Sequence, residues 1–367
     1  MTLPAPTNEG RQTINPFVTP PITSATDAMH SARLDVLRVW ACLAVILLHL
    51  SATLLSNQAL FGTIHWQISN IIDAATRWCV PLFIMVSGAL LLDPRRHSSL
   101  RAFWRKRVGR LLPAIITWSA IYFAWRAYSW GDQISLGTVL HDLVVGLPFF
   151  HLYFLFIIAG LYMVTPLLAA SLQAFDFSQI RQLIFILAVL VIGATLFDFA
   201  YGTLGTSVFT LFVPYLVYYL AGWYCLHLPS GNSFVYGLAV GAAIAVTTVM
   251  TSILVSVYGT EGRWSFYFYD HFSPTVMIAT IGTFLFGLYG PIPNGIERLA
   301  LQLAPLTFGV YLAHPLVVEL LRYAYIFFLP ALLSPPYYVP ITFLLTCFLT
   351  GSLVVLIRKT PGLRRIV

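Results

Sequence analysis

Residues 33–51 read RLDVLRVWACLAVILLHLS, an apolar run entered through Arg33, Asp35 and Arg38 and carrying His49 near its far end. A helix crossing the hydrocarbon needs about 20 mostly apolar residues, and the window 35–55 supplies them. Arg38 and His49 are eleven residues apart. At 100° per residue they return to within about 20° of one face, displaced by roughly 16 Å along the axis. One helix face therefore carries a cation near a membrane edge and an imidazole deep in the apolar interior. Titratable groups in such places cost about 2.5–3.5 kcal/mol each on insertion scales and read as functional by default. The bland alternatives are snorkelling for Arg38 and an interhelical hydrogen bond for His49.

The rest of the chain has the same character. Of 367 residues, 59% are hydrophobic and 9% charged, with a mean hydropathy of +0.83. A soluble domain carries about 25% charged residues, so disorder, collagen-like repeats, a small disulfide scaffold and a soluble enzyme are all excluded as the main class. Windows of spanning length fall at 35–55, 68–92, 111–128, 150–170, 183–200, 206–226, 234–258, 274–289, 305–328 and 340–357. The reading is an all-α polytopic integral membrane protein of about ten transmembrane helices, in one domain over 32–358. An interfacial amphipathic helix is expected over 136–147. Residues 1–31, rich in Pro, Thr, Ser and Asn, read as a disordered cytoplasmic tail, and 359–367 as a basic one.

Ten spans put both termini on one side. With the amino terminus inside, the cytoplasmic tails and loops hold fifteen Lys or Arg, and the opposite loops hold only Arg263. That asymmetry predicts cytoplasmic termini. It also explains the net charge of +7 without nucleic acid, which is excluded as a partner. Cys42, Cys79, Cys225 and Cys347 lie in apolar runs without CxxC spacing, so neither a disulfide nor a zinc site is expected.

Further titratable groups fall inside or beside spans. Arg77 lies about 22 Å up the second window, close to the depth of His49. An arginine there stays charged and needs a partner, either Asp73 one turn away or an anionic ligand. His151 opens the fourth window at its outer lip, and His314 lies near the cytoplasmic end of the ninth, followed by Pro315. With His49 and Arg77, they outline a path from one side to the other. In RAFWRKRVGRLLP (101–113), Arg107 and Arg110 are three residues apart and face one side of a helix start. Paired guanidinium groups suit phosphate, which they bind bidentately. The aromatic loop EGRWSFYFYDHFS (261–273) reads either as an interfacial belt or as a platform for sugar rings, with Glu261, Asp270 and His271 as hydrogen-bond partners. No P-loop, Rossmann glycine pattern or HExxH motif occurs.

Five blocks together, RLDVLRVWACLAVILLHL, TRWCVPLFIMVSGALLL, WRKRVGRLLP, FHLYFLFIIAGLYMVTPLL and TFGVYLAHPLV, resemble the acyltransferase type-3 family of bacterial integral-membrane O-acyltransferases over roughly 33–357. The match is nearest to its enterobacterial-common-antigen O-acetyltransferase-like branch. The resemblance implies transfer of an acetyl group from cytosolic acetyl-CoA to a hydroxyl of an extracytoplasmic or lipid-linked polysaccharide, in a bacterial inner membrane. No permanently bound cofactor is implied. The family's arginine and histidine separated by ten residues map onto Arg38 and His49, and its arginine pair onto Arg107 and Arg110. Some relatives carry a fused extracytoplasmic hydrolase-like domain. This chain ends without one, so polysaccharide-assembly proteins or a lipid-linked sugar are expected as partners.

Residues and resemblance converge on an expected mechanism. Arg107, Arg110 and Arg38 hold the CoA phosphates, and Asp35 orients or neutralises Arg38. His49 acts as general base or accepts the acyl group itself. Arg77 stabilises the oxyanion, while His151 and His314 relay protons or place the acceptor. The competing class is a transporter or flippase for a lipid-linked sugar, against which stands the lack of a visible inverted repeat. A different donor, such as succinyl-CoA, is a variant of the first reading.

Overall fold

Apolar runs too long for a globular helix dictate the architecture, and the computed structural model describes it for residues 24–93, 99–202 and 205–367. Among the described residues, nine helical stretches are long and apolar enough to cross a membrane. The helices are α1 Ser24–Leu55, α2 Ile64–Ala74, α3 Cys79–Leu91, α4 Leu100–Trp125, α5 Leu136–Val145, α6 Tyr153–Ala174 and α7 Phe177–Tyr201. They continue as α8 Leu216–Leu226, α9 Ser233–Tyr258, α10 Pro274–Tyr289, α11 Asn294–Leu303, α12 Thr307–Phe328 and α13 Pro335–Lys359. No strand occurs among the described residues, and the protein is an all-α, multi-pass membrane protein.

The expected sixth span, 206–226, is helical only as α8, which at about 1.5 Å per residue is too short to cross alone. Val208–Tyr215 run as turns: Thr210 Oγ1 takes the Ser207 N–H, and Pro214 has no N–H to give a helix. The second span is broken into α2 and α3 at residues 75–78. Pro81 lacks the N–H that would bond the carbonyl of Arg77, and the chain there tightens into turns, with the Thr76 N–H bonding the Asp73 carbonyl and the Cys79 N–H that of Thr76. At the other extreme, α4 starts earlier than the 111–128 window, because the Ser99 hydroxyl caps it by accepting the Ala102 N–H at 3.2 Å. Arg107 and Arg110 therefore lie within a helix rather than at its edge.

α1 begins at Ser24, so residues 24–31, expected in an unstructured tail, are helical; residues 1–23 of that tail lie outside the described residues, as do Arg95 and Arg96 of the basic block. A helix occurs where 136–147 was read as amphipathic, opened by a Ser135 cap and closed at Gly146, whose φ of +82° suits only glycine. Residues 363–365 form a turn of 3-10 helix, and the Ile366 carbonyl accepts from Trp118 Nε1 at 2.9 Å. The segment after α13 is thus packed onto α4.

α1 is the axis of the bundle, touching α2, α3, α10, α11, α12 and α13. α3 and α8 cross where Gly88 and Gly222 face each other's backbone. A methyl group at either would run into the main chain of Tyr219 or Met85, the close approach that small residues permit between membrane helices. α7, in contrast, has a single fully buried residue, Ile180, and leaves much of its apolar surface exposed. Lipid is the solvent that such a face requires.

Candidate active site

At the end of the bundle where the basic block lies, a cavity of about 760 Å³ opens between α1, α3, α4, α6 and α12. Its mouth carries Arg38, Lys106, Arg107, Arg110 and Arg358 against one carboxylate, Asp35. Arg38 bonds Asp35 at 2.7 Å, and both remain partly exposed to the cavity. The three-residue spacing does turn Arg107 and Arg110 to the same side. The Arg107 guanidinium lies 5.4 Å from the Tyr162 ring and 5.5 Å from Phe103, and that of Arg110 lies 5.2 Å from Phe308. Rings hold these cations on their faces without neutralising them. Arg358, read only as part of a basic tail, lines the same cavity, anchored by donating to the Pro305 carbonyl at 2.8 Å.

Inward, the cavity turns apolar and aromatic, ending on Phe83, Phe154 and Tyr311. Just beyond it three imidazoles meet. The His49 ring stacks on His314 with centroids 5.3 Å apart, and His151 stands edge-on to His314 at 5.7 Å. The sequence places His151 at the outer lip and His314 several residues above the cytoplasmic end of the ninth window. Instead they are fully buried beside His49, so the four groups do not trace a path from edge to edge. The error lay in ranking depth by position within a span. The loop before α6 runs into the bundle, carrying Phe150 to 4.9 Å from His49.

Arg126 fixes that loop. From the end of α4 it bonds Asp132 at 2.8 Å, Asp142 at 2.6 Å and the Pro148 carbonyl at 3.1 Å, three residues before His151. Tyr311 completes the anchoring by donating its hydroxyl to the His151 carbonyl at 2.7 Å.

Pro315 determines the state of His314. It has no N–H for the carbonyl of Tyr311, and His314 Nδ1 bonds that carbonyl at 2.7 Å instead. A carbonyl only accepts, so Nδ1 carries the proton and Nε2 of the neutral ring keeps a lone pair. That Nε2 is buried and has no hydrogen-bond partner. His151 shows the reciprocal arrangement: Nε2 bonds the Leu312 carbonyl at 3.3 Å, and the lone pair sits on an unpartnered Nδ1. Leu312 also accepts from the Tyr122 hydroxyl at 2.8 Å, which in turn takes the Leu316 N–H at 3.3 Å. A buried polar atom without a partner is costly, and two such basic nitrogens in one cluster mark a place where a proton can be received. Among the described residues no group of His, Cys, Asp or Glu has metal-ligating geometry.

A second cavity, of about 610 Å³, lies at the opposite, aromatic end. Arg77 lines it. It is salt-bridged to the fully buried Asp73, with its guanidinium 4.2 Å from the Tyr269 ring centre. This is the Asp73 pairing that the sequence offers as the alternative, and it gives the cation a fixed partner. The cavities bracket the cluster in register. On α1 the basic cavity is lined by Asp35 and Arg38 and the aromatic-end cavity by Ala52 onward, with His49 one turn short of Ala52. His151, in the turn before α6, and His314 on α12 each stand three residues from a residue lining the basic cavity, Phe154 and Tyr311.

These features define a multi-pass helical membrane protein with a cationic pocket leading to a wall of imidazoles. A family model described as an acyltransferase domain matches residues 31–355, and the chain belongs to that family, the type-3 membrane acyltransferases. No curated protein and no solved structure matches the chain.

Proposed function

We propose that this membrane acyltransferase is an O-acetyltransferase of a bacterial inner membrane. It takes an acetyl group from cytosolic acetyl-CoA and delivers it to a hydroxyl of an extracytoplasmic or lipid-linked polysaccharide. The observation that carries the reading is the three-histidine wall between a cationic cavity and a second cavity on the other side. The resemblance to the common-antigen-like branch supports the polysaccharide acceptor. The positive-inside asymmetry, together with Arg38 of α1 and Arg358 of α13 lining one cavity, supports a cytosolic basic cavity with both termini cytoplasmic.

In this mechanism Arg107, Arg110 and Arg38 bind the phosphates of the donor, with Lys106 and Arg358 adding charge at the mouth. Asp35 holds Arg38 in position. The thioester passes between Phe83, Phe154 and Tyr311 to the wall. The acceptor hydroxyl attacks the thioester carbonyl, forming the new ester bond as the carbon–sulfur bond breaks. His49 takes the hydroxyl proton and returns it to the departing thiolate, so that ester and free CoA thiol are the products. The lone pairs on His314 and His151 receive and relay that proton. Arg77, held by Asp73, faces the acceptor side and sets the electrostatics of the developing oxyanion from there.

Purified protein in nanodiscs, given radiolabelled acetyl-CoA and cell-envelope glycan, is expected to release CoA only with acceptor present and to label the glycan. Glycan translocation without CoA release would establish a transporter instead. A better rate with succinyl-CoA would keep the enzyme and change the donor.

A further inference from the structure

The aromatic-end cavity is chemically unlike the basic one. Its lining on α1 begins at Ala52, one turn past His49. Its sides present the rings of Phe199 and Phe266, while the buried Tyr269 ring is covered by the Arg77 guanidinium and stacked on Phe266. Apolar ring faces suit the C–H face of a pyranose, which is hydrophobic on its flat side and hydroxylated at its rim. At the rim stand hydrogen-bonding groups. Gln58 Nε2 donates to Glu261 at 3.0 Å, and His271 pairs through Nδ1 with the Tyr215 hydroxyl at 2.9 Å. A volume near 610 Å³ falls in the range of small-molecule sites, about 300–1,000 Å³.

The charge of this cavity is the discriminating feature. Among the described residues Arg77 is its only lysine or arginine, and Asp73 offsets it; Asp73 also accepts from the Ser51 hydroxyl at 3.2 Å. Arg263 is engaged elsewhere, donating to the Asp198 carbonyl at 2.7 Å. Glu261, exposed, and Asp270, half-buried, are the acidic side chains on the lining. They accept hydrogen bonds from sugar hydroxyls, and the negative charge of Glu261 disfavours anions.

We infer that this cavity seats the acceptor, and that it selects an uncharged sugar unit against sugars bearing a carboxylate or phosphate. The inference rests on the histidine wall as the place of transfer and adds the acceptor's class to that reading.

The test compares surface glycans, hydrolysed under ester-preserving conditions, from a gene-deletion strain and the same strain complemented with the wild-type gene. Mass spectrometry is expected to find the lost acetate on a neutral hexose or hexosamine. Acetate lost from a uronate or a phosphorylated sugar would overturn the charge selection. An acetate content equal in the two strains would remove the acyl-transfer reading itself, and the acceptor assignment with it. In purified protein, Glu261→Lys is expected to lower acceptor kcat/KM at least tenfold while the acetyl-CoA KM stays at the wild-type value. Glu261→Gln, which keeps size and hydrogen bonding, is expected to lose less. Equal acceptor kinetics for wild type and both variants would overturn the assignment of the cavity. A monodisperse gel-filtration profile and unchanged melting temperature are required of each variant.

Discussion

The two cavities are built by opposite means. The basic-end cavity takes its cations from regular helix positions: Arg38 on α1, Lys106, Arg107 and Arg110 on α4, and Arg358 at the end of α13. The aromatic-end cavity is assembled from helix ends and the loop around Phe266–His271, and its one arginine is already paired. Free charge on rigid helices fits a ligand with fixed phosphates. Rings and offset charge on loops fit a ligand with many weak, replaceable hydrogen bonds. The lesson is that one bundle can present two recognition chemistries a few helical turns apart, provided that a tightly anchored partition separates them.

The most severe way to break this contrast is at the partition. His49→Ala is expected to lower kcat about 10³-fold, the loss typical of a missing general base, with the protein still folded in the membrane. Acetate incorporation near the wild-type rate would remove His49 from the chemistry. Next comes Pro315→Ala, which returns an N–H to compete for the Tyr311 carbonyl. If that bond positions His314, kcat falls by about a hundredfold, as for a small misplacement of a reacting group, with donor KM unchanged. Nitrogen NMR of labelled histidine is expected to report a changed tautomer population. An identical spectrum with full activity would separate His314 from catalysis.

Smaller effects sharpen the difference between the two ends. Arg107→Gln and Arg110→Gln are each expected to raise the acetyl-CoA KM about tenfold, the lower end for hydrogen bonds to charged groups. Raising the salt concentration should weaken donor binding and leave acceptor binding nearly level, because screening acts on exposed net charge. Equal salt sensitivity for both substrates would erase the proposed distinction. Phe199→Ala is expected to raise the acceptor KM only a few-fold, the value of one ring contact, with no change in donor KM.

Much of this was legible in the first span. The eleven-residue spacing of Arg38 and His49 puts a cation and an imidazole on one face, and the structure has Arg38 at the basic mouth and His49 in the imidazole cluster beyond the cavity. Arg107 and Arg110 were legible because their relation is local to one helix. The meeting of His151 and His314 with His49 was not, since it depends on a loop pinned by Arg126 and on packing between distant helices. Tyr311 was missed although a signal existed: it stands four residues before Pro315, where a proline leaves a carbonyl free. Pro81 is the same signal for the break between α2 and α3, and Pro214 for the shortened sixth span. Arg358 was hidden by its neighbours, because a run of basic residues after a span gives no indication of which one turns inward.

The stacked rings have one consequence for the cell. His314 and His151 are held by main-chain carbonyls of α12 rather than by a mobile loop across the gap, so the septum they form with His49 is a fixture and not a gate. A septum of that kind would keep ions and water from passing between the cavities. Under the proposed reaction the membrane potential would then be preserved through each turnover, since only the acyl group has to cross.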